Sequence, residues 1–478
     1  MPLLISLASI FAALFAVLIV RAISFQPCKK KQTARVEKLT VDTDRAVAEL
    51  SRLIECKTVS SRNKAEEDER EFEKFERTLP EVFPVIYKKC VFEKVGDRGL
   101  LFKWQGKKSD GPTVLMAHYD VVSADGEGWT CSPFEPEIRD GFLYGRGTLD
   151  TKITISAMLH AAERLMDEGF VPESDVYFAF GGDEEITGHG ASDIVDLFES
   201  RGITPALVLD EGGAVVKGLF PRVIPAAAAI GVAEKGMVNI RYTAKSTGGH
   251  ASTPKGHTPV TRLARAVDRV NRHPFPVRIT SPARQMIDSI SRNSSFGYRL
   301  VFANLWLFLP ILSLITRGGG DLAALIRTTV AFTEMRGAEG PNVIPGEASV
   351  VSNSRILPGE TPESVRARIE KLVDDEHVKV EIINSQEPSR LSRTDCPEFD
   401  RVAATAAQIW PEAIVTPYLM VACSDSRHWG RLSDRVYRFS PIEFVGAERG
   451  TIHGADEHIA LPSIAKSVEF FYRFIKKC

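Results

Sequence analysis

Asp175-Val-Tyr-Phe-Ala-Phe-Gly-Gly-Asp-Glu-Glu185 decides how this chain is read. The apolar run predicts a buried strand, and Gly181-Gly182 let the backbone turn tightly before three adjacent carboxylates. Three acids in a loop ordinarily make a solvated tip. Here they follow a buried strand and precede Gly188-His-Gly190, which points to burial beside a cation. Adjacent glutamates cannot point the same way, so one can bind a metal while the other faces water.

Upstream, Thr113-Val-Leu-Met-Ala117 predicts a second short strand, placing His118 at a strand's carboxyl end, where open α/β sheets hold ligands. Asp120 is close enough to orient that imidazole, since metal-bound histidines usually donate their other N–H to a carboxylate. Asp150 follows the glycine-punctuated Gly145-Arg-Gly-Thr-Leu149 and precedes an amphipathic helix running from Ile153 to Leu165. A helix N-cap is the alternative role for it. A third strand, Ala206-Leu-Val-Leu209, ends at Asp210-Glu211-Gly-Gly213, and His453 sits in a late glycine loop, Arg449-Gly-Thr-Ile-His-Gly454. Alone, such residues are more often structural. Together they form a set that suits zinc, which lowers the pKa of bound water towards about 7 so that a nearby carboxylate can take its proton.

These residues carry a resemblance. Met116-Ala-His-Tyr-Asp-Val-Val122, Gly145-Arg-Gly-Thr-Leu-Asp150, Asp183-Glu184-Glu185, Leu209-Asp-Glu-Gly-Gly213, Gly248-Gly-His250, Asn342-Val-Ile-Pro345 and Ile452-His-Gly454 together resemble the two-zinc aminoacylase and carboxypeptidase family, in order, from about residue 40 onward. Val232-Ala-Glu-Lys-Gly236, Asn304-Leu-Trp-Leu-Phe308, Ile326-Arg-Thr-Thr329 and Asp425-Ser-Arg427 are similar to its carboxypeptidase S and N-fatty-acyl-amino-acid synthase/hydrolase branch. The resemblance implies that His118 and Asp210 hold one zinc, Glu185 and His453 the other, and that Asp150 bridges them. It implies Glu184 as general base, Asp120 as orienter of His118 and His250 as a contact to the oxyanion. Arg355 or Arg427 would pair with a substrate carboxylate, with Asn342 among the substrate-binding residues. Bidentate recognition is what suits an arginine to that task.

The implied fold is α/β, a zinc-peptidase-like sheet domain flanked by helices, with an inserted ferredoxin-like α+β lid. The expected boundaries are a catalytic first part over 41–234, the lid and dimerisation domain over 235–387 and a catalytic second part over 388–478. Lid strands are expected at Met237–Thr243, near Thr328–Phe332 and Ala348–Val351, and at Val378–Ile383, with helices from Pro259 to Asn271 and Pro362 to Asp374. Within the lid, Phe296 to Thr316 is almost wholly apolar but Pro-broken and short for a bilayer. It reads either as an acyl-chain pocket or as plain packing.

Residues 1–25 predict a membrane anchor or a signal segment, and 26–40 a linker. Leu3 to Val20 holds no charge, and neither leading basic residues nor a clear cleavage site accompanies it, which favours a single-pass anchor; a secreted or lumenal form after cleavage is the alternative. Arg21, Lys29, Lys30, Lys31 and Arg35 would keep the following side cytoplasmic, whereas the resemblance points to a lumen or the exterior, where Asn293-Ser-Ser295 could be glycosylated. Seven cysteines, Cys28, Cys56, Cys90, Cys131, Cys396, Cys423 and Cys478, lack metal-binding spacing. The run from Arg62 to Arg77 reads as an exposed helix face.

With 478 residues, two cores are expected; a net charge of −2 without a basic stripe gives no support for nucleic acid as a partner. The function expected is zinc-dependent cleavage of the amide bond of N-acyl amino acids or C-terminal peptide residues, possible in reverse as synthesis. A catalytically silent membrane-tethered zinc protein and a hydrolase of non-peptide amides are the alternatives.

Overall fold

A computed structural model describes residues 2–27, 39–218, 225–444, 446 and 448–478. Most of the expected linker, with Cys28, Lys29, Lys30, Lys31 and Arg35, lies outside the described residues. In chain order, the helices used below are α1 (Pro2–Ser24), α2 (Lys152–Asp167), α3 (Gly190–Ser200), α4 (Pro259–Arg272), α5 (Ser281–Arg292), α6 (Phe296–Ala303), α7 (Leu305–Ile315), α8 (Pro362–Val373) and α9 (Leu461–Ile475). The strands are β1 (Val91–Val95), β2 (Gly99–Trp104), β3 (Lys108–His118), β4 (Ser174–Gly181), β5 (Leu207–Asp210), β6 (Val215–Val216), β7 (Ala227–Glu234), β8 (Gly236–Lys245), β9 (Thr329–Arg336), β10 (Glu347–Ile356), β11 (Val378–Gln386), β12 (Ile414–Met420) and β13 (Val436–Arg438).

The large sheet runs β1-β2-β4-β3-β5-β13-β7-β12, with β6 beside β7. Its central strands are apolar without alternation because both faces are covered. Leu115 and Ala117 of β3 join the core formed with α2 and α9, while Val114 and Met116, one residue out of step, pack with Ile194, Val195 and Phe198 of α3. The parallel pairing of β3 with β4 sets His118 opposite Gly181, and β5 lies parallel on the other side of β3 with Leu209 opposite Leu115. Three sequence-distant groups thus reach one sheet edge: His118, the turn after Gly181 and Asp210.

Between β7 and β12 the chain makes a separate antiparallel sheet, ordered β9-β10-β8-β11, with α4 and α8 packed on it around Val238, Ile240, Leu263 and Ile369. The expected strands and helices are present, with α5, α6 and α7 intervening between α4 and β9. Thr258 and Thr361 cap α4 and α8 and proline occupies the first helical turn of each, so the starts were legible in sequence. The run from Arg62 to Arg77 enters the helix Glu69–Val82, which exposes its charges and buries Phe72 and Phe75.

The apolar segment forms α6 and α7, bent by 103° at their junction. No single helix among the described residues is long and apolar enough to cross a membrane, although this bent pair passes on length and composition together. α6 packs on α5 and on α1, whose Leu14, Leu18 and Ala22 recur at helical spacing on the covered side. Arg21 donates through Nε and Nη2 to the Ala303 carbonyl at 3.1 and 2.8 Å, and Asn304 Nδ2 donates to the Leu18 carbonyl at 3.2 Å. The six described cysteines other than Cys28 are free thiols.

Candidate metal centre

The turn after β4 separates the three acids by role. Asp183 accepts from the backbone N–H groups of His189 and Gly190 at 2.8 and 3.0 Å, so it caps the start of α3. Glu184 and Glu185 are held by their backbone: their N–H groups donate to the two oxygens of the buried Asp120, each at 3.1 Å. Ser60 Oγ adds a third donor at 2.7 Å. Ser60 reaches there because Val59 bridges Val121, a pairing no local pattern in the sequence announces.

His118 is also held through Asp120, but mainly by its main chain. Nδ1 lies 3.0 Å from the Asp120 carbonyl oxygen and 3.4 Å from the nearer carboxylate oxygen. The expected carboxylate contact is thus the longer of the two, and the carboxylate serves chiefly to clamp the Glu184–Glu185 turn. With the proton on Nδ1, Nε2 presents a lone pair to Asp150 Oδ1 at 2.9 Å. His453 Nε2 stands 3.1 Å from Asp150 Oδ2 and 3.1 Å from Glu185 Oε1. Each Asp150 oxygen therefore faces a different imidazole.

His118, Asp150 and Glu185 bring one ligand atom each within 4.8 Å of one another. Lone pairs this close need a proton or a cation between them, and nitrogen with carboxylate oxygen is a donor set that zinc accepts. The electrostatics agree. Burial would depress His118, but Asp120 and Asp150 outweigh it and raise its pKa well above the ordinary imidazole value. Hydrogen bonds to Asp150 and Glu185 raise His453 to about 10. Burial, reinforced by Asp425, Glu211 and Glu185, raises Glu184 well above the carboxylate range. Glu184 makes no side-chain hydrogen bond among the described residues, which suits a base that must exchange a proton.

Asp210, expected as a ligand, and its neighbour Glu211 have different surroundings. Asp210 accepts from the backbone N–H of Ser426 at 3.0 Å and faces a buried network in which Arg438 Nε donates to Glu234 and Ser424 and Ser426 donate to the same carboxylate. Glu211 is the one that feels Asp150 most among its charged neighbours, and burial raises its pKa well above normal. Glu457, to which the sequence attached no role, lies fully buried against Arg146 and the loop that carries Asp150.

Among the substrate-binding expectations, Arg427 lines an open cleft of about 700 Å³ with Arg62, Asn384, Gln386 and His428, its guanidinium bonded to the Gln386 amide oxygen. No lining residue of that cleft comes from Phe296 to Thr316. Arg355, at the end of β10, donates to Cys423 Sγ at 3.5 Å. His250 is exposed; its ring bonds Ser252 Oγ at 2.8 Å and its backbone pairs with Val343, beside Asn342, whose carbonyl accepts from Ala251. Neither His250 nor Asn342 contacts the metal-centre residues in this structure.

A nitrogen and oxygen donor set at the carboxyl ends of parallel strands, beside a half-buried carboxylate with no side-chain hydrogen bond among the described residues, defines a metallohydrolase. The profile of peptidase family M20/M25/M40 matches residues 114–477, and the chain belongs to that family. It is 33% identical over 450 residues to the probable carboxypeptidase S-like 2 of Dictyostelium discoideum, covering 92% of this chain and 86% of that protein. It is 33% identical over 473 residues to the N-fatty-acyl-amino acid synthase/hydrolase PM20D1 of Xenopus tropicalis, covering 97% and 92%. The fold is shared with the metallo-carboxypeptidase Sso-CP2 of Sulfolobus solfataricus, TM-score 0.65 at 18% identity over 90% of this chain and 98% of that one.

Proposed function

We propose that this enzyme hydrolyses the amide bond between an acyl or peptidyl group and an amino acid bearing a free carboxylate, using two zinc ions, and that it can run in reverse. The carrying observation is that the two oxygens of Asp150 face two different imidazoles, as a carboxylate shared by two cations would. His118 and Glu211 would hold one ion, His453 and Glu185 the other; Glu211 takes the place expected of Asp210, whose oxygen is engaged by Ser426. Bound zinc would supply an acidified water and polarise the scissile carbonyl. Glu184 would accept a proton from the attacking water and pass it to the leaving nitrogen, and Asp120 keeps Glu184 aimed by fixing its backbone. Arg427 binds the substrate carboxylate in the cleft, and the four-stranded unit over 235–387 acts as a lid and as a dimer surface, carrying His250 towards the oxyanion on closure.

The test is turnover of N-acyl amino acids of increasing chain length beside blocked dipeptides, with Glu184→Gln as control. Preference for long acyl chains identifies an acyl-amino-acid hydrolase, and preference for dipeptides a carboxypeptidase. Equal turnover of carboxamide analogues would point to non-peptide amides, and zero turnover with zinc bound to a silent protein. We further propose that α1 holds the chain to a membrane, with release after signal cleavage as the alternative; alkaline extraction and N-terminal sequencing separate the two.

A further inference from the structure

α1 and α7 share a property that water does not explain. A helix in water normally keeps one polar face, and one apolar on every side belongs in a core or in lipid. α1 covers Leu14, Leu18 and Ala22 against α6 yet leaves Ile10, Phe11, Phe15 and Val20 exposed, Phe11 at 67%. α7 is apolar throughout except Ser313, and it exposes Trp306, Ile311, Leu314 and Ile315, the last at 67%. Both helices meet α6, so the exposed side chains lie on neighbouring elements of one assembly. Contiguous exposed apolar patches on soluble proteins mark a partner.

Charge identifies the partner. At the base of α1 and α6, Arg21, Arg284 and Arg292 line a pocket of about 430 Å³ floored by Phe302 and Ala303. Among the described residues its one carboxylate, Asp288, is already bonded twice by Arg292 at 2.7 and 3.0 Å. Arg292 also stacks 4.3 Å from the Phe25 ring. Guanidinium groups at the foot of apolar helices, with an exposed Trp at the start of α7, are the arrangement that places cations among phosphates and indole at the membrane boundary. With eleven residues, α7 reaches only about 16 Å, half of a bilayer's hydrocarbon thickness, so it enters one leaflet and does not cross.

We propose that α7 and the exposed side of α1 form one face seated in a single leaflet of a bilayer containing anionic phospholipid, with Arg21, Arg284 and Arg292 at the headgroups. The apolar insert is then a second membrane contact, borne by the segment that leads into β9, and not the wall of a substrate pocket. The inference rests on membrane attachment through α1 but not on the hydrolase reading.

Trp306 reports it directly, because Trp104, Trp410 and Trp429 are buried and Trp129 is half-buried with Arg146 over its ring. The full chain is mixed with phosphatidylcholine vesicles with and without phosphatidylglycerol, their acyl chains brominated to quench nearby indoles. Flotation, fluorescence and hydrolysis of a short water-soluble acyl amino acid are read on the same samples. The expected result is strong quenching that Trp306→Phe removes while flotation and hydrolysis persist, and a several-fold loss of the phosphatidylglycerol preference in Arg284→Gln. Flotation with equal quenching in native protein and Trp306→Phe would mean α1 alone holds the membrane and overturns the inference. A vesicle-resistant dimer that shields Trp306 would overturn it in favour of a second copy of the chain. Absence of flotation would remove it together with attachment through α1, whatever the hydrolysis shows.

Discussion

Glu457 joins Arg146 in a fully buried ion pair, Oε2 to Nη1 at 2.7 Å, while the backbone N–H groups of Gly147, Leu149 and Asp150 donate to the same carboxylate. Glu457 stands four positions after His453, so this one side chain locks the loop of Asp150 to the loop of His453.

Glu457→Gln removes the charge that Arg146 was desolvated to meet. Breaking a buried pair from one side costs roughly 3–5 kcal/mol. Urea unfolding should show that loss, and zinc content should fall with it because Asp150 loses its support.

Glu184→Gln keeps the shape of the turn, since Asp120 holds residue 184 by its backbone. Turnover should drop by about 10²–10⁴ with metal content unchanged. Asp120→Asn instead loosens both glutamates and should lower activity or metal affinity by roughly 10–100-fold. Elemental analysis beside kcat separates the two.

Glu211→Gln should cost a metal ion, whereas Asp210→Asn should keep metal and lose stability, because Asp210 serves Ser426 and the Glu234–Arg438 network. The reverse pattern would restore Asp210 as the ligand.

Arg427→Lys should raise KM for substrates with a free carboxylate several-fold and leave kcat nearly unchanged, since an ammonium cannot bind bidentately. Arg355→Lys should change KM less, because its guanidinium is directed at Cys423.

Lys235 gives a pH signature away from the metal centre. Burial, helped by Arg355, lowers its pKa from 10.5 to about 7, and its Nζ donates to the carbonyls of Ala324 and Arg327, which a neutral amine can still satisfy. Because the folded pKa is depressed, the unfolded chain holds the extra proton between those values, so stability climbs as pH rises from about 7 towards 10.5. Lys235→Met should flatten that climb in urea midpoints measured across the window.

Sequence alone determined the strands, the glycine turns, the strands and helices that build the second sheet and most of the candidate metal-ligand set. These are local signals: apolar runs, caps, prolines at first turns, and acids following buried strands. His118 and Glu185 were legible because they follow buried strands, and Asp150 and His453 because they sit in glycine-punctuated loops; the structure brings the four together. Tertiary structure alone separated Asp210 from Glu211, since both follow the same strand and it is Asp210 that accepts from Ser426 beside the Glu234–Arg438 pair. It alone recruited Ser60 and Glu457, whose partners lie 60 and 311 residues away. It also settled the surroundings of Phe296 to Thr316: composition reads the same for a pocket wall and for an outer face, and only the packing of α1 on α6 shows which sides are covered.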